Sequence, residues 1–191
     1  ALSPLHTNDI VHCNLSSNNV LLTRDLRAKV ADFGTSRLDA MSSSSSGGGG
    51  GGGSPLSHLS PVRGHSAAYM SPEALTDPPT FSKKLDVFSY GVLTLQVLTR
   101  KFPNPSPPRR KIDNRDYGMM PIEVAVPEAE RRRDHIELVD PEHPLMRTIT
   151  LCLAYAEGER PGAQDLCFQT NHLKTSDRYL AIVKAESDPE A

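Results

Sequence analysis

The chain has 191 residues, 21 of them basic and 23 acidic, for a formal net charge of −2. That balance excludes a nucleic-acid role driven by charge, and no apolar run approaches the ~18 residues of a membrane span. Three scattered cysteines without a C-x-x-C pair (Cys13, Cys152, Cys167) suit free thiols in a reducing compartment, so the expected location is cytoplasmic.

In chain order, residues 1–8 predict the tail of a helix, closed by the polar Thr7-Asn8-Asp9. They lack the basic region and apolar core of a signal peptide. Val20-Leu21-Leu22 and Ala28-Lys29-Val30-Ala31 flank the mostly polar Arg24-Asp25-Leu26-Arg27, a pattern that predicts a small hairpin. The hairpin runs directly into Asp32, which places that carboxylate at a strand end facing a cleft. Residues 42–54 are low complexity: five serines, seven consecutive glycines and one more serine. A phosphate-binding loop needs punctuated glycines between a strand and a helix. An unbroken run has no such shape, and ordering it costs entropy without burying anything, so a mobile segment is expected over about 36–66.

Lys83 to Thr99 predicts the main helix, and its apolar residues surround the axis, as they do in a buried helix. Pro103, Pro105, Pro107 and Pro108 then break the pattern, and an irregular loop is expected over 104–122. Glu128 to Val139 predicts a charged helix with Arg131, Arg132 and Arg133 on a solvated face. His143 to Tyr155 carries apolar residues at helical spacing, and Pro161 is expected in the first turn of a last helix. A polar tail occupies 171–191.

Five landmarks occur in order. His12-Cys13-Asn14-Leu15-Ser16-Ser17-Asn18-Asn19 is followed, thirteen residues after Asn19, by Asp32-Phe33-Gly34. Next come Tyr69-Met70-Ser71-Pro72-Glu73, Asp86-Val87-Phe88-Ser89-Tyr90-Gly91, and Cys152 eight residues ahead of Arg160-Pro161. The first resembles the H-R-D-L-x-x-x-N catalytic loop of eukaryotic protein kinases, and the second their D-F-G metal loop. The set resembles the C-terminal lobe of a kinase domain of the tyrosine-kinase or tyrosine-kinase-like type, over about residues 1–170.

The resemblance implies a mainly α (α+β) fold, a kinase-like C-terminal lobe with a small hairpin at the cleft. It also implies roles. Asp32 and Asn19 would hold magnesium on the phosphates of ATP, and Leu21 would lie under the adenine. Glu73 and Arg160 would form a buried ion pair, Asp86 would bond the catalytic-loop backbone, and His12 and Phe33 would pack as part of an apolar spine. Each residue has a plainer reading: His12 as a satisfied core histidine, Asp32 as a turn carboxylate, Glu73 and Arg160 as unrelated surface charges.

The pattern departs from the family at the chemistry. Asn14 stands where kinases have the aspartate that accepts the substrate proton. Cys13 replaces the arginine that clamps a phosphorylated activation loop. Ser16 stands where serine/threonine kinases have a lysine near the transferred phosphoryl group. Only 11 residues precede His12, and no glycine precedes Gly34, so the N-terminal β lobe with its glycine-rich loop and lysine is expected to be missing and binding of Mg-ATP poor. The leading expectation is an inactive or very weak pseudokinase-type binding module in signalling, with protein partners that include a possible separate N-lobe. The alternatives are a true kinase truncated upstream, phosphorylating protein Ser, Thr or Tyr with Mg-ATP, and a non-functional gene remnant.

Overall fold

The computed structural model describes residues 1–38, 67–75, 80–103 and 136–174. Among these residues four helices, α1 (Leu2–Thr7), α2 (Lys83–Thr99), α3 (Met146–Cys152) and α4 (Ala163–Lys174), carry most of the regular structure. Four short strands complete it: β1 (Ile10–Val11), β2 (Val20–Leu22), β3 (Ala28–Val30) and β4 (Arg37–Leu38). The mainly helical architecture with a small hairpin is the one the sequence predicts.

The hairpin pairs Val20 with Val30, Leu21 with Lys29 and Leu22 with Ala28. Thr23 closes its turn. The Thr23 hydroxyl accepts from Arg27 N at 3.0 Å and donates to Asp25 Oδ1 at 2.6 Å, while Leu26 takes a left-handed φ of 57°. A second antiparallel pair, β1 with β4, was not anticipated; two residues per strand are too few for any alternation to show. It pairs Arg37 and Leu38, inside the expected insertion, with Val11 and Ile10. The low-complexity run over 42–54 and the loop over 104–122 lie outside the described residues.

Helix α2 organises the interior. Ser82 caps its start by accepting from Lys84 N at 3.2 Å. Arg100 ends it in a left-handed conformation, φ 55°, the C-terminal geometry usually given to glycine. Phe88, Val92 and Leu95 face Ala68, Tyr69, Val139, Ile149 and Leu153 in the largest core cluster. Its buried residues run from Leu85 to Ser89, with Gly91, Val92 and Leu95; Val97, near the far end, is exposed, so the helix emerges from the core rather than staying inside it.

Helix α3 crosses α2 at Gly91. A Cβ there would lie 2.7 Å from the Cys152 Cβ and 3.1 Å from a Leu153 methyl. Gly91→Ala is therefore expected to cost about 1–3 kcal/mol through overpacking, visible as a lower urea midpoint with unchanged slope.

Two expected helices are shorter than periodicity suggests. Between His143 and Tyr155 only Met146–Cys152 is α-helical. Pro141 and Pro144 hold the entry in turns, with Leu145 N donating to His143 Nδ1 at 3.1 Å. The last helix begins at Ala163, not at Pro161: Gly162 N donates to Asp165 Oδ2 at 3.1 Å, the return bond of a capping box, which fixes Gly162 as the cap. Of the charged helix expected over 128–139, residues up to 135 lie outside the described set, and residues 136–138 form a 3-10 turn. No helix among the described residues is long and apolar enough to cross a membrane.

Candidate active site

The site begins with a buried carboxylate. Asp86, in the first turn of α2, is fully buried. Its Oδ2 accepts from His12 N at 2.8 Å and from His6 Nε2 at 2.9 Å, and its Oδ1 accepts from Cys13 N at 2.9 Å. Three donors meet one carboxylate, so the loop backbone is held from outside the loop. His6, in the last turn of α1, is a partner that the sequence analysis missed. Its one signal is a histidine among apolar residues at a helix end, which does not identify the acceptor.

His12 orients the loop on its C-terminal side. Its Nε2 donates to Ala31 O at 3.0 Å, and its Nδ1 accepts from Asn14 N at 3.3 Å, which fixes the tautomer. The ring meets Phe33 edge-on, centroids 5.0 Å apart. Thus the loop carrying Asn14 and the segment carrying Asp32 are tied together through one imidazole. A second tie is Ala31 N to Asn19 O, 2.8 Å.

Asn14, Asn19 and Asp32 converge. The Asn19 side-chain amide donates to Asn14 O at 2.7 Å, which leaves its Oδ1 free to face a ligand. The Asn14 side-chain amide donates to Asp32 Oδ2 at 3.4 Å, and Gly34 N donates to Asp32 Oδ1 at the same distance. Asp32 adopts φ 63° and Cys13 φ 64°. Each left-handed L-residue costs roughly 1–2 kcal/mol, and such strain persists only where the surroundings fix it. A carboxylate and an amide oxygen are hard donors that fit magnesium in kind. Among the described residues no cluster of three or more His, Cys, Asp or Glu stands ready for a metal. An ion here would therefore take most of its ligands from phosphate and water.

Ser16 and Leu21 lie differently. Ser16 is buried, and its carbonyl accepts from Asn19 N at 3.0 Å. Leu21 is exposed on the hairpin, as are Leu22, Leu26 and, in part, Phe33. Cys13 is buried among Val11, Ala74, Phe81 and Leu85, where a charged clamp would have no water. Burial, reinforced by the Asp86 charge, pushes its thiol up to about 12, so it stays protonated and inert near neutral pH. Arg37 sits over the Phe81 ring at 4.4 Å, on the edge of that cluster.

Glu73 and Arg160 meet as a fork. Arg160 Nη1 donates to Glu73 Oε1 at 2.6 Å and Nη2 donates to Oε2 at 2.8 Å. The remaining donors reach the carbonyls of Ala154 (2.8 Å), Tyr155 (2.9 Å) and Lys84 (3.2 Å). Lys84 in turn donates to the Arg160 carbonyl. The Arg160 guanidinium also lies 5.0 Å from the Phe88 ring centroid. Further along, the Tyr69 hydroxyl donates to Gln96 Oε1 at 2.5 Å and contacts Ser17 Oγ at 3.0 Å. That contact joins the segment before Glu73 to the loop carrying Asn14; sequence reasoning missed it, because the three residues are far apart along the chain.

A family model described as protein kinase domain matches residues 1–171. Serine/threonine/tyrosine-protein kinase HT1 of Arabidopsis thaliana is 27% identical over 159 residues, covering 82% of this chain and 33% of that protein. Calmodulin-binding receptor-like cytoplasmic kinase 2 of Arabidopsis thaliana is 38% identical over 94 residues, 49% of this chain and 20% of the relative. The probable inactive receptor kinase RLK902 of Arabidopsis thaliana is 37% identical over 107 residues, 55% of this chain and 14% of the relative. The chain spans a third or less of the length of these relatives.

Proposed function

Because the chain belongs to the protein kinase domain family, we propose that it is a pseudokinase-type module that acts in signalling by binding other proteins and transfers phosphate very weakly or not at all. The observation that carries this reading is Asn14. Its amide donates toward Asp32, so the group in the proton-acceptor position is not a base. Ser16 offers no charge to a transferring phosphoryl group, and its burial keeps it from replacing the lysine. Residues 1–170 would form one kinase-lineage unit, with an activation-segment insertion at about 36–66 and a polar tail over 171–191. The lineage reads as tyrosine-kinase-like, on Cys152 and Arg160-Pro161.

Nucleotide contact would fall to Leu21 under the base and to Asp32 and the free Oδ1 of Asn19 toward the metal. Magnesium, when bound, neutralises charge on the phosphates. His12 and Phe33 would brace that end of the site, while Asp86 and the Glu73–Arg160 pair would hold the lobe in shape.

A second reading, a phosphotransferase of which this chain is one part, draws support from the assembled Asp32, Asn19 and Glu73–Arg160. One assay tests the first: phosphotransfer from Mg-ATP to a mixed protein substrate by the unmodified chain and by Asn14→Asp. The expected result is no turnover by the unmodified chain. Restoring a base is worth about 10²–10⁴-fold where the rest of the site is competent. Turnover by the unmodified chain would sink the pseudokinase reading.

A further inference from the structure

The amide of Asn14 does more than fail to be a base. We propose that it competes with a divalent cation for Asp32: its Nδ2 donates to Asp32 Oδ2, one of the two oxygens open to a metal. The amide–carboxylate contact and a bound metal then compete for the same oxygen. This proposal rests on the kinase-lineage reading of the cleft and concerns only its metal end.

Three observations support it. Asp32 has one donor on each oxygen, Gly34 N on Oδ1 and Asn14 Nδ2 on Oδ2, both at 3.4 Å, so part of its acceptor capacity is already taken. The Asn14 backbone is pinned on both sides, by Asn14 N to His12 Nδ1 and by Asn19 Nδ2 to Asn14 O, which holds the amide within reach of the carboxylate. Among the described residues no group of three or more His, Cys, Asp or Glu stands ready to hold a metal. Magnesium prefers near-octahedral oxygen ligands and sheds water reluctantly, so a site whose one carboxylate is already hydrogen-bonded is a poor competitor for it.

The test is a titration of the full chain with MnCl₂ alone, following the free-ion electron paramagnetic resonance signal, for the unmodified protein, Asn14→Ala and Asn14→Asp. Both backbone bonds of residue 14 survive in the alanine variant, so its fold is retained, and circular dichroism checks it. Removing the donor should tighten Mn²⁺ binding about three- to tenfold in Asn14→Ala. Asn14→Asp should gain about tenfold more, through its added charge. Adding Asp32→Ala to either variant should abolish the gain. The proposal is overturned if Asn14→Ala binds Mn²⁺ no more tightly than the unmodified chain, or if the gain survives loss of Asp32. Neither outcome depends on phosphotransfer, so failure here and failure of the pseudokinase reading are told apart.

Discussion

Replacing Glu73 with alanine is expected to destabilise the chain by about 3–5 kcal/mol, the range for stripping one partner from a buried ion pair. Arg160 is almost fully buried, and its five N–H donors meet five acceptors: two Glu73 oxygens and three main-chain carbonyls. Without Glu73 the cation keeps only carbonyls, far from water. Glu73→Gln keeps the shape but loses the charge and one acceptor, so it should fall between wild type and alanine. Arg160→Lys preserves the charge, yet a point ammonium with three donors cannot serve acceptors placed for a planar fork; it should lose most of what alanine loses. Urea melts of the three variants, read as midpoints with slopes compared, give the order. Equal stability of Glu73→Ala and wild type would show that the pair adds nothing.

Asp86→Ala should cost about 3–5 kcal/mol as well, by a different route. It orphans two buried backbone N–H groups, at His12 and Cys13, and the imidazole of His6, each worth about 1–3 kcal/mol when left unpaired. The damage should be local before it is global. Amide hydrogen exchange at residues 12 and 13 should accelerate far more than at Val92 in the same helix as Asp86. Uniform acceleration across α2 would instead mark Asp86 as a general packing residue.

Legibility tracked chemistry and length. The hairpin could be read because short apolar or β-branched runs bracket a polar turn, and the extent of α2 because an apolar run from Lys83 to Thr99 gives way to a cluster of prolines. The short pairing of Ile10–Val11 with Arg37–Leu38 could not, since two residues show no period. Proline misled at Pro161: its tolerance in a first turn suggested the helix start, but Asp165 reaching back to Gly162 sets the boundary two residues later. At the site, residues of distinctive type in a fixed order (Asp32, Glu73, Asp86, Arg160) could be named from the sequence. The positions of Ser17, Tyr69, Gln96 and His6 depend on tertiary neighbours, and no local pattern announces them.

The anchoring of the loop at His12 and Cys13 by Asp86 bears on how such a chain changes over generations. The carboxylate grips only main-chain atoms there, and main-chain atoms are the same for every side chain they carry. The hold on the loop at these two residues therefore does not depend on the side chain at position 14, whose own backbone is tied to His12 and Asn19. On the pseudokinase reading, a base at position 14 could be removed by a single codon change while this main-chain anchor stands.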